Sequence, residues 1–361
     1  MRFQKKLSRR VLSLAAALVT GISSVGIGSL SGGVLSASAE EDTSTHEHSY
    51  DTRNTNGFCD VEGCTEPYQP AEDSNSDGYY EISNAGQLYW FADKVNNGEY
   101  SLNAVLTADI SVNEGDVSGC DGNKAEGWRD WTPIGSVSNI YSGTFDGQDH
   151  IVSGLYFNDE DAEYVGLFGR SYGNIKNVGV VDSYFKGNDF VGGVCGRNDG
   201  TITNCYNAGN FTAIESSATI GGICGYNGGT VTNCYNTGTV TATGSVASVG
   251  GVCGSSIAPI SNCYNIGTVT ATTSDADISG ICGYYFGPIK NCYYLADAED
   301  ENGGKTAEQF KSGEVAYLLN GRKSEGDTVH FYQNLSGENA DALPVLDNTH
   351  GVVYTGEDCK T

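Results

Sequence analysis

Apolar positions along most of this chain fall in short clusters broken by Gly, Asn and Asp, and the clusters return at a fixed interval. The stretches Val191-GGVCGRNDGTITNCYNAG, Ile220-GGICGYNGGTVTNCYNTG, Val249-GGVCGSSIAPISNCYNIG and Ile278-SGICGYYFGPIKNCYYLA begin 29 residues apart. An earlier copy, Tyr164-VGLFGRSYGNIKNVGV, lies 27 residues ahead, with Phe168 and Val178 where the later copies place cysteine. A period that does not drift over four copies indicates a stacked, one-dimensional array. Within each copy, Val, Ile, Thr and Tyr alternate with turn formers, which predicts strands and shows no helical period.

A 29-residue unit fits one coil of a parallel β-solenoid with about three short strands. The expected fold is mainly β, a right-handed parallel β-solenoid with α/β capping segments; the hand follows the general preference of parallel crossovers. Coils spaced about 4.8 Å apart would make five coils a rod of roughly 24 Å. Stacking then places Asn177, Asn204, Asn233, Asn262 and Asn291 over one another at a bend, their amides bonded along the rod. Ile175, Ile202, Val231, Ile260 and Ile289 would fill the interior. Gly192, Gly193, Gly196 and their equivalents would serve corners that need a positive φ or a close approach.

The repeated pattern G-G-[VI]-C-G-x-N-x-G-x-[IV]-x-N-C-Y resembles the GLUG motif of Gram-positive bacterial surface proteins. That motif is also found in adhesin-like proteins and in the non-catalytic regions of IgA peptidases. The resemblance covers about 164–296 and implies a secreted or cell-surface repeat protein. Residues 79–163 are similar to the segment that often precedes such repeats. Residues 297–361 resemble segments that close them.

The flanks complete the organisation. Lys5, Lys6, Arg9 and Arg10, the apolar run from Val11, and Ala37-Ser-Ala39 read as a signal peptide over 1–39. A polar arm with Cys and His follows over 40–78, then an N-terminal cap and opening coil over 79–163 and a C-terminal linker and cap over 297–361. In the last, Thr306-AEQ reads as a capped helix, with strands at Phe331-YQNL and Pro344-VLDNTHGVVY. The signal peptide makes the protein secreted or extracellular, and with no transmembrane segment expected the mature chain should be either soluble or held to the cell wall by non-covalent contacts.

Charge narrows the partners. The chain has 45 acidic against 19 Lys and Arg residues and a formal charge of −26. Residues 1–39 hold Arg2, Lys5, Lys6, Arg9 and Arg10 and no acid, so losing them takes −26 to −31. Such a surface repels phosphate backbones and anionic lipid heads, which excludes nucleic acid as an expected partner.

Candidate chemistry is sparse. Cys195, Cys224, Cys253 and Cys282 form one periodic set, and Cys205, Cys234, Cys263 and Cys292 another. In an exported chain these eight are disulfide candidates within each rung; a column of buried thiols is the alternative. His46, His48, Cys59 and Cys64 have the donor types of a tetrahedral zinc site, against a solvated arm with a Cys59–Cys64 disulfide. Asp73, Asn75 and Asp77 match the first half of a calcium loop, but Asn84 stands where the bidentate Glu belongs. No cofactor is required otherwise. Tyr206, Tyr235, Tyr264 and Tyr293 form a stripe that, if exposed, would bind a host or microbial surface glycan or protein. Between 191 and 292 the only acids are Asp199, Glu215, Asp275 and Asp277, and H-E-x-x-H and G-x-S-x-G are absent. No enzymatic activity is expected: the reading is an adhesin-like scaffold. The alternatives are a carbohydrate-active β-helix enzyme or accessory domain, marked by carboxylates converging in a groove, and a purely structural spacer.

Overall fold

The computed structural model describes residues 50, 56–59, 61, 64, 66–245 and 247–354. The chain divides into Met1–Glu47 and a compact unit, His48–Thr361. The first unit, with the signal peptide expected over 1–39, lies outside the described residues.

The unit is a parallel β-solenoid of about five turns with 29-residue rungs. Four sheets run along it, and every pairing between their strands is parallel. One five-stranded sheet stacks Glu163–Val165, Asp189–Gly192, Thr219–Gly221, Ser248–Gly250 and Asp277–Ser279. The next stacks Phe168–Ser171, Cys195–Asn198, Cys224–Asn227, Cys253–Ser256 and Cys282–Tyr285. An eight-stranded sheet follows, and an eleven-stranded sheet returns the chain to the next rung. A rung therefore has four or more short strands, where about three were expected. The difference arises at the glycine pairs, which break what reads as one strand into two.

The bends show why the repeat needs its particular residues. Asn177, Asn204, Asn233, Asn262 and Asn291 all sit at φ between 50° and 54°, the left-handed region that Asn tolerates better than other side chains. Each amide donates to the previous Asn Oδ1 at 3.0–3.1 Å, and Asn177 closes the column by donating to Asp146 at 2.9 Å. The glycines act through space instead. A Cβ on Gly192 would lie 2.3 Å from the Cys195 carbonyl oxygen, and one on Gly196 would lie 2.5 Å from that of Phe190. Positive φ is thus the asparagines' task, and close approach the glycines'.

Inside, Ile175, Ile202, Val231 and Ile260 are fully buried, and Ile289, in the last rung, is half-buried. Each fully buried side chain of this kind contributes about 1.5–3 kcal/mol. Two further polar columns lie in this interior. Asn198 donates to Asn227 at 2.8 Å, and Asn227 to Ser256 at 3.0 Å. Asn207 donates to Asn236 at 2.6 Å, and Asn236 to Asn265 at 2.7 Å. Each Asn of the latter column also accepts from the backbone N–H two residues on, at 2.8–3.2 Å, so none is left unsatisfied.

Parallel stacking begins before the repeats, at Tyr79–Ile82 and Asn103–Leu106 of the eight-stranded sheet. Between them helix α1, Ala85–Asn96, starts at Asn84, whose side chain accepts from the Gln87 N–H. Its Leu88, Phe91 and Val95 are fully buried, and the Phe91 ring lies 5.9 Å from Phe145. At the other end the acidic linker supplies Gly304–Lys305, which pairs with Tyr293–Leu295. The helix expected from Thr306 forms with its capping box, but Gly313 at φ 85° splits it into α2, Ala307–Lys311, and α3, Glu314–Leu319. The two C-terminal strands expected reduce to one antiparallel bridge, Tyr332–Val345.

Candidate functional site

Rungs stacked in register turn the periodic tyrosines into a column of rings. Tyr206 and Tyr235 stack at 4.8 Å with 4° between their planes, and Tyr235 and Tyr264 at 4.9 Å with 5°. The column is not the open binding stripe expected. Tyr264 is fully buried, its hydroxyl donating to the Pro344 carbonyl at 2.6 Å and its ring packed on Phe310 and Phe331. Tyr235 and Tyr293 pack into the same apolar cluster. The C-terminal segment covers this flank because flat apolar rings with one hydroxyl each offer it area and a hydrogen bond together. Burial pushes the Tyr264 hydroxyl far above the usual phenol range.

Tyr206, with Tyr235 beside it, borders open space. Its register partner in the preceding rung is Gly179, where a Cβ would fall 2.3 Å from the Tyr206 ring. A cavity of about 370 Å³ lies here, between the solenoid flank and the C-terminal segment. Asp149 and Tyr206 line the solenoid side, and Val345, Leu346, Asp347 and His350 the other. His350 is oriented through Nδ1, 2.6 Å from Asp341 Oδ2, and its Nε2 stands 3.7 Å from Asp347 Oδ2. Burial raises the Asp149 pKa, helped by the nearby carboxylates of Asp146 and Asp347. Asp347 is shifted the other way, chiefly by the Thr349 backbone N–H at 2.9 Å. Asn177, Asn204, Tyr206 and Tyr235, all singled out from the sequence, line this groove, whereas Asp149, Asp347 and His350 were not, because the groove joins segments far apart in the chain.

The rung cysteines form two buried columns, in register as Cys195–Cys224–Cys253–Cys282 and Cys205–Cys234–Cys263–Cys292. In the structure these eight are thiols rather than half-cystines. Seven donate to a carbonyl of their own rung, among them Cys195 to Arg197 at 3.1 Å and Cys205 to Thr203 at 3.2 Å, as do all but Cys253. Burial pushes Cys195, Cys205, Cys253 and Cys263 well above the usual thiol range and Cys282 up to about 12. Thiols held neutral in this way are poor nucleophiles and pack as small apolar groups.

In the arm, the structure brings Cys59 and Cys64 within hydrogen-bonding reach. His46 and His48, the other half of the zinc set, lie outside the described residues. Asp73, Asn75 and Asp77 share one loop, but their oxygens face its own backbone. Asp73 accepts from the Asp77 and Gly78 N–H groups at 3.0 Å, Asn75 from Asp77 at 2.9 Å, and Asp77 from Tyr79 at 2.9 Å. Among the described residues, no group of three or more His, Cys, Asp or Glu is arranged to hold a metal ion. No helix among them is long and apolar enough to cross a membrane.

Comparison with known proteins joins this geometry to a family. The family model of the GLUG motif matches residues 216–241, the third solenoid rung and its turns. The chain carries GLUG repeats. Halomucin of Haloquadratum walsbyi is 30% identical over 140 residues, 37% of this chain and 1% of its own length. A protein of Evansella cellulosilytica, provisionally described as a Gly-rich membrane protein, is 32% identical over 79 residues, 20% of this chain and 9% of its own length. The GLUG chain thus spans a small fraction of the curated relatives it matches. A solved structure from Bacteroides ovatus, provisionally described as an immunoglobulin A1 protease, superposes with TM-score 0.54 at 20% identity. That superposition covers 76% of this chain and 93% of the other, and the likeness is one of fold.

Proposed function

We propose that this protein is an extracellular, non-enzymatic GLUG scaffold that attaches its cell to a host or microbial surface. The observation that carries the reading is the division of labour along the rod. Its interior is a set of saturated polar and apolar columns that fix a rigid shape. What varies between rungs lies in the turns that follow, such as Ile257-AP, with Ile257 and Pro259 exposed, against Gly228-GT. Rigid stacks of this type use a constant core to hold a variable outer surface. The relative described as a Gly-rich membrane protein supports display at the cell envelope. The test is protease shaving of intact cells followed by an adherence assay with a deletion strain. Release of peptides from 164–296 together with loss of adherence is expected; an intracellular chain, or unchanged adherence, would refute the proposal.

The groove favours one second reading, a carbohydrate-active site. Asp149 is pushed up and Asp347 down across one cavity, and carboxylates with opposed shifts are the pattern of an acid and a base. Release of nitrophenol from chromogenic glycosides, lost in Asp149→Asn, would replace the scaffold reading with this one.

A further inference from the structure

We propose that the groove between Tyr206 and the 345–350 segment is a saccharide-binding site that takes a neutral pyranose. The inference rests on the surface-scaffold reading above and names the ligand of one site within it. The groove exists because the ring column stops. Gly179 holds the position at which every later rung in register presents tyrosine; the Tyr206 ring lies over it, 2.3 Å from where a Cβ would stand, so no earlier ring covers Tyr206 and the cavity opens beside it. The volume, about 370 Å³, falls in the range of small-molecule sites.

The lining matches the two characters of a sugar ring. Tyr206, Val345 and Leu346 supply apolar surface for the C–H face of a pyranose. Asp149 and Asp347 supply acceptors for its hydroxyls from opposite walls, and His350, steadied by Asp341, adds a third polar group. Paired acceptors on opposed walls suit a ring with hydroxyls around its rim. A single ammonium group would instead need them convergent on one point. The charge disfavours anionic sugars: among the described residues no Lys or Arg lines the groove, and Asp149 and Asp347 stand on its two walls. A uronate or sialic acid would meet repulsion without a compensating cation.

The test uses the full chain with cellotriose and chitotriose as neutral probes and trigalacturonate as the acidic one, read by saturation-transfer NMR and calorimetry. Millimolar binding of a neutral trisaccharide is expected, weakened about tenfold or more in Tyr206→Ala and in Asp347→Asn. Tyr206→Phe, which keeps the ring, should bind within a few-fold of the parent, and that variant separates loss of the platform from loss of the fold. Trigalacturonate should not bind. Failure of both neutral probes, equal binding by trigalacturonate, or neutral binding unchanged in Tyr206→Ala would overturn the proposal. So would capture of a lysine-rich peptide, lost in Asp347→Asn, in place of the sugars. If Tyr206→Ala cells still adhere, the groove is not the attachment site, and the scaffold reading survives without it.

Discussion

Removing one amide from the innermost polar column tests whether that column holds the rungs together. Asn236 is fully buried; it donates to Asn265 at 2.7 Å and to the Gly238 carbonyl at 3.0 Å. It accepts from Asn207 at 2.6 Å and from the Gly238 N–H at 3.2 Å. In Asn236→Ala, Asn207 keeps its bond to Gly209, and Asn265 keeps its bond from the Gly267 N–H. The Gly238 N–H and carbonyl lose these partners in a buried place. Stranding two such groups costs about 1–3 kcal/mol each, so a loss of about 3–5 kcal/mol is expected once the small cavity is added. Asn204 is the control: it has a similar amide column and φ 54°, but it is only half-buried, so water can replace the lost bonds. Asn204→Ala should cost about 1–2 kcal/mol, much of it backbone strain, and Asn204→Gly should recover about 1 kcal/mol of that. Urea unfolding followed by circular dichroism and by tyrosine fluorescence gives both values, with the two probes compared because stacked rungs need not unfold together. An Asn236→Ala variant within about 1 kcal/mol of the parent, or no less stable than Asn204→Ala, would refute the reasoning.

Three further outcomes are expected. The eight rung cysteines should resist a thiol reagent in the native protein and react on denaturation without reductant; eight residues that stay silent when unfolded would establish disulfides instead. The Asp146 carboxyl is partly buried, which alone would raise its pKa, but Asn177, the Gln148 N–H and Lys176 together hold it below the usual value. Its contribution is therefore complete above the ordinary carboxylate range and is lost as pH falls through the lowered value, so Asp146→Asn should flatten the acid side of a stability-against-pH curve while leaving neutral pH as the region of its fullest cost. Tyr264→Ala empties a fully buried site beneath Phe310 and Phe331 and should cost about 3–5 kcal/mol, with increased binding of a hydrophobic dye as the C-terminal segment loosens; unchanged dye binding would mean that the segment is held elsewhere.

The periodic sequence determined the rung, its register and much of its inside. A 29-residue recurrence places equivalent residues over one another, so the Asn177–Asn291 column and the Ile and Val column follow from spacing alone. The Asn198 and Asn207 columns were equally legible, since Asn227, Asn236 and Asn265 recur at the same interval; the signal lay in polar residues, where a buried position is not the ordinary expectation. Tertiary structure alone decided which face of the rod is covered. Nothing local to Tyr264 distinguishes it from Tyr206, yet one is sealed by Phe310 and Phe331 and the other borders a cavity, because a segment 80 residues downstream folds back on the column and stops short of its first ring. The groove has the same origin. Asp149 and Asp347 have no shared motif or spacing, and they meet only because the C-terminal segment lies along the solenoid flank, an arrangement set by the apolar area it buries rather than by any repeat.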